Sequence, residues 1–163
     1  MENVGTFKAF YNSYRDKLFA YLMRMTGDYY LASDITQESF TRILSQYGKN
    51  SQNGALLFTI ARNAVLDDAR KKNRFRPLGE EKMDDTHDQE QLVLVRESYR
   101  QVLAAMQRLN KGERDILALV VSSDLSYRDI AEMIGSSEVN VKVTVHRARK
   151  KLKKFLQGGT NHE

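Results

Sequence analysis

The chain has 163 residues, with 41% hydrophobic residues, a single Pro, no Cys and a formal net charge of +5. Without Cys there is no disulfide, zinc thiolate or thiol nucleophile, and a reducing compartment is compatible. No signal peptide and no apolar run of membrane-spanning length appears, so a cytoplasmic chain without membrane insertion is expected.

Phe7, Phe10, Tyr11, Tyr14, Leu18, Tyr21, Leu22 and Met25 keep helical spacing, and Gly27 is placed to stop that helix. Asp28 is placed to cap a second helix running through Ala32, Ile35, Phe40, Ile43, Leu44 and Tyr47 to Gly48. The polar loop "GKNSQNG" follows. A third helix begins near Ala55, with Phe58, Ala61, Val65 and Ala69 on one face, and ends at Pro77. Residues 62–76 carry six Arg or Lys against two Asp. Residues 77–91 reverse the sign, with six acids opposed only by Lys82, and read as a linker.

Periodicity resumes at Leu92, Val95, Tyr99, Val102, Met106 and Leu109, breaks at "NKG" and returns in "ERDILALVV". Ser126 is placed to cap a short helix, with Asp129 at the capping-box position. Ile130, Ala131 and Ile134 form the apolar side of that helix, Gly135 makes a turn, and Ser136 or Ser137 caps the next helix. The small Ala131 lets the two helices approach closely.

The last element is ambiguous at first sight, because Val139, Val141, Val143 and Val145 alternate with polar residues as a strand would. Val141, Val145, Ala148, Leu152 and Leu156 nevertheless form one helical stripe, and a strand ending at His146 leaves Leu152 and Leu156 without a role. At 100° per residue, Val139, Val143, His146, Arg147, Lys150 and Lys154 fall opposite that stripe. Residues 142–154 carry seven Arg or Lys and no acid. A helix-turn-helix with a basic second helix is a duplex-DNA reader. An ordinary helical hairpin with a solvated basic side is the plainer alternative.

The fold class is therefore all-α, with two small helical domains (residues 1–76 and 92–157) joined by a flexible acidic linker (77–91) and followed by a disordered tail (158–163). "LSYRDIAEMIG…VKVTVHRARKKL" resembles the C-terminal promoter-recognition domain of extracytoplasmic-function sigma factors of bacterial RNA polymerase. "ASDITQESFTRI" and "LFTIARNAVLDDARKKNR" resemble two consecutive conserved helices of the same family. The resemblance runs from about Phe7 to Leu156, in the expected order.

That resemblance implies an alternative sigma factor that binds RNA polymerase core, recognises −35 and −10 promoter elements and assists promoter melting. It assigns Asp34, Gln37 and Glu38 to docking on the β′ clamp helices. Lys49, Asn50, Ser51, Gln52 and Asn53, together with Phe58, Arg62 and Asn63, fall at the −10 element, where a base leaves the stack for a pocket. Val139, Lys142, Val143, His146, Arg147 and Lys150 fall at the −35 element. An anti-sigma factor is the further partner that the resemblance implies, and it implies no cofactor.

Two departures from the family stand out. Val139 and Val143 occupy positions that usually carry small residues; an exposed valine there can meet a thymine methyl. "ALLFTIARN" lacks the Trp common in that region. Two other classes remain as alternatives. A two-domain helix-turn-helix regulator acting without core polymerase would bind duplex DNA tightly by itself. A small helical enzyme has little to build on: His87, His146 and His162 are scattered, and no Gly-rich phosphate loop is present.

Overall fold

The structure, a computed structural model, describes residues 2–48, 53–75 and 97–158, and their regular elements are all helices. The expected linker, loop residues 49–52 and residues 159–163 lie outside the described residues.

Helix α1 (Glu2–Thr26) ends where expected: Gly27 has φ +64°, and its N–H donates to the Met23 carbonyl at 2.8 Å. Asp28 caps α2 (Tyr29–Arg42), its side chain accepting from the Leu31 N–H at 3.1 Å. The chain then widens into one π-helical turn, Ile43–Tyr47, before Gly48. That turn buries Ile43 completely and leaves Leu44 and Tyr47 exposed. A periodicity argument predicts only a continuous helix there.

Helix α3 (Gly54–Phe75) starts with the Asn53 side chain accepting from the Leu56 N–H at 3.2 Å. Its first residue must be small, because a Cβ on Gly54 would lie 2.6 Å from the Tyr14 hydroxyl oxygen. Aromatic rings fill the space between α1, α2 and α3, with centroids 4.7 Å apart for Tyr11–Phe40 and 5.6 Å for Tyr21–Phe58. Phe58, which the resemblance assigns to the −10 element, is completely buried in this cluster. It packs the bundle and presents no face to a nucleic acid.

The second half comprises α4 (Glu97–Arg108), α5 (Lys111–Ser122), α6 (Tyr127–Ile134) and α7 (Glu138–Gly158). The break at "NKG" is a capping box: Asn110 accepts from the Glu113 N–H at 2.8 Å, and Glu113 accepts from the Asn110 N–H at 3.4 Å. Arg114 then reaches back over the end of α4, donating to the carbonyls of Met106, Gln107 and Leu109 at 3.0–3.1 Å. These are helix-end acceptors that would otherwise need water. Burial draws the Arg114 guanidinium below its ordinary pKa. The far end of α7 is tied down by Lys151, 2.7 Å from Glu113, and by Arg108, whose guanidinium carbon sits 4.1 Å from the Phe155 ring centroid.

The two halves do not stand apart. One continuous core runs from Phe10 in α1 to Ala148 in α7, and α1 lies against both α4 and α5. Asp115 of α5 is almost fully buried and takes two donors from the first half. The Tyr21 hydroxyl donates to one carboxylate oxygen at 2.8 Å, and Arg62 Nε donates to the other at 2.6 Å. Burial first, and the Asp115 charge second, push the Tyr21 phenol well above its ordinary pKa, so it remains a donor. Arg24 donates to the Ser122 hydroxyl at 3.0 Å and lies over the Tyr99 ring. Gln107 and Arg114 both donate to the Met25 carbonyl at the end of α1, each at 3.4 Å. Removing one member of a buried, hydrogen-bonded ion pair typically costs about 3–5 kcal/mol.

Candidate nucleic-acid interface

The helix-turn-helix is built as the sequence predicts. The Ser126 hydroxyl accepts from the Asp129 N–H at 3.0 Å, which starts α6. Helix α6 ends at Gly135 in the left-handed region (φ +73°, ψ +41°), a conformation that a side chain disfavours. Of the two candidate caps for α7, Ser137 accepts from the Asn140 N–H at 3.1 Å, while Ser136 accepts from the Asn140 side-chain amide at 2.7 Å.

The apolar stripe of α7 is docked, with Val141, Val145 and Ala148 buried against α5 and α6 and Leu152 packed beside them. The opposite face is open. Lys142, Val143, His146, Arg147 and Lys150 are exposed there, and Val139 is 70% exposed. Two valines on a basic, solvent-facing surface gain nothing for the fold and cost some helix propensity. A major groove offers what such a surface lacks: phosphates and base acceptors for the cations, and thymine methyls for the valines.

In the first half, Asp34, Gln37 and Glu38 are all exposed on α2. Asp34 and Glu38 line a groove between α2 and α3 with Arg42, Asp67, Asp68 and Lys71. Glu38 lies 3.8 Å from Arg42, an exposed i,i+4 pair of the kind that contributes about 0.3–0.5 kcal/mol. Of the residues assigned to the −10 element, Asn53 and Asn63 are exposed. Arg62 is engaged with Asp115 and only 22% of its side chain is accessible. Lys49, Asn50, Ser51 and Gln52 lie outside the described residues. Among the described residues, no helix is long and apolar enough to cross a membrane.

Residues 10–75 match the family described as Sigma-70 region 2, and residues 99–152 match Sigma-70, region 4. The chain is 31% identical to the ECF RNA polymerase sigma factor SigX of Bacillus subtilis, an alignment covering 93% of this chain and 84% of that protein. The chain belongs to the ECF sigma factors. It is thus an alternative sigma factor, directing transcription initiation with RNA polymerase. SigM of the same organism is 29% identical, with 97% of this sigma factor and 99% of that one aligned. Its fold is similar to that of the sigma factor RpoE solved in complex with the anti-sigma factor NepR from Bartonella quintana, with a TM-score of 0.71 at 22% identity. That alignment covers 93% of this chain and 96% of the solved one.

The Asp115 cluster has no counterpart in the sequence reading. Asp115 lies in "ERDILALVV", where it reads as a polar position on an amphipathic helix. A carboxylate directly before the apolar run Ile116 to Val121 is the one local hint that it is not solvated.

Proposed function

We propose that this sigma factor reads the −35 element as duplex through the outer face of α7, and the −10 element through the segment from Lys49 to Asn53 together with Arg62 and Asn63. The observation that carries this reading is the docked-stripe, open-face division of α7, with Val139, Val143 and Arg147 exposed on the helix that follows the turn. Asp34, Gln37 and Glu38 dock on the β′ clamp helices of the polymerase, a role that fits their shared exposed face. The chain acts in the cytoplasm and performs no catalysis of its own. An anti-sigma factor binds it in turn, a reading supported by the complex in which the similar RpoE was solved.

Footprinting the complete initiation complex tests this division of labour. The −35 and −10 contacts are expected as two protected patches on the order of 20 base pairs apart, about 70 Å at 3.4 Å per pair. Thymines should become permanganate-reactive only at the downstream patch, where strands separate. Reactive thymines at the upstream patch, or one continuous patch under both halves, would contradict the assignment.

A further inference from the structure

The outer face of α7 has an order across its width. At 100° per residue, Val139, Val143, His146 and Lys150 fall within about 30° of one line along the middle of that face. Lys142 and Arg147 lie about 70° to either side of the line. All six side chains are exposed, Val139 to 70% and Val143 to 38%. The two valines hold the end of the line nearer the turn at Gly135, the end at which a recognition helix meets base edges. Asn140, whose amide is of the kind that reads adenine, is engaged elsewhere, donating to the Ser136 hydroxyl at 2.7 Å.

A valine held against base edges in a major groove has one group to meet. The C5-methyl of thymine is the apolar feature there; the others are donors and acceptors, which lose water against a valine and gain no partner. A side chain that ends in methyl groups also has no means of reading the substituent at C4. It distinguishes a C5-methylated pyrimidine from an unmethylated one, and thymine from cytosine only through that methyl. Val139 and Val143 stand one turn apart, about 6 Å along the helix axis. Base pairs rise about 3.4 Å each, so the two side chains span one or two base steps.

We propose that α7 reads C5-methyl groups as such: the −35 element presents two of them, one or two base steps apart, carried by thymine or equally by 5-methylcytosine. Promoter recognition by this sigma factor then responds to cytosine methylation, gaining affinity where a methyl group is added at either position. The proposal rests on the −35 face assigned above, and the test distinguishes failure of the one from failure of the other.

The complex of core polymerase and this sigma factor is titrated against promoter fragments in which each thymine of the upstream element is replaced in turn by deoxyuridine. Only the methyl group is removed. Affinity is expected to fall about fourfold at each of two positions, the equivalent of one buried methyl group, and to stay unchanged at the others. At the same two positions, 5-methylcytosine is expected to bind about fourfold better than cytosine, with guanine opposite in both cases. Val139→Ser should abolish the response at one position and Val143→Ser at the other. Both positions are exposed, so neither change disturbs the packing of α7. Responsive positions three or more steps apart, or a methyl response that survives in both variants, would overturn the proposal. If deoxyuridine changes nothing while Arg147→Ala still alters base preference, the face stands and methyl reading falls. If none of the three variants alters preference or methyl response, the assigned face itself falls, and the proposal with it.

Discussion

Reversing both charges in Asp34→Lys, Glu38→Lys will abolish stable association with RNA polymerase core while leaving helix content and melting behaviour nearly unchanged. The two side chains are exposed one turn apart on α2, and neither is part of the aromatic core beneath them. Glu38 lies 3.8 Å from Arg42, which is itself exposed. Their local contribution to stability is therefore a few tenths of a kcal/mol. At an interface the same groups count for more, because losing a paired charge there costs about 2–5 kcal/mol. An association weakened by about 3 kcal/mol is weaker by more than a hundredfold. Co-migration with core on a sizing column, together with circular dichroism of the free variant, measures both halves of the expectation. A variant that unfolds would show that these acids serve α2 itself.

Arg147→Ala will change which upstream base is preferred, whereas Lys154→Ala will weaken binding to all sequences alike. Both side chains are exposed on the outer face of α7, but they differ in position along it. Arg147 is nearer the turn at Gly135, where a recognition helix meets base edges, and Lys154 is close to the end of α7. Loss of a base-edge contact costs about 1–3 kcal/mol and relaxes one position, while loss of a phosphate contact lowers the salt slope by about one. Val143→Ser should also act at one position, by removing an apolar partner for a thymine methyl. A randomised upstream element transcribed by each variant with core reads all three at once. Identical profiles for the wild type, Arg147→Ala and Val143→Ser would contradict the assigned face.

The helices and the open outer face of α7 were legible because each depends on local order. Asp28, Ser126 and Gly135 act within a few residues of themselves, so their types announce caps and turns. The stripe Val141, Val145 and Ala148 has a period, and the period decided helix over strand. Three features had no such signature. Whether α2 continues regularly or widens into the π-helical turn at Ile43–Tyr47 depends on packing of Ile43, and the apolar spacing suits both. Phe58 was assigned to DNA by its place in a motif, but its ring meets Tyr21, which is distant in sequence. The Asp115 cluster joins residues 53 and 94 positions away, Arg62 and Tyr21. Each of the three looks like an ordinary helix residue in its own neighbourhood, and only tertiary packing shows that they share one carboxylate.

Run-off transcription with purified bacterial core polymerase on genomic fragments tests the central claim most directly. Discrete start sites that require both core and this chain are expected, preceded by two shared sequence elements on the order of 20 base pairs apart. Tight, sequence-specific binding to duplex DNA by the chain alone, with no start sites when core is added, would contradict it.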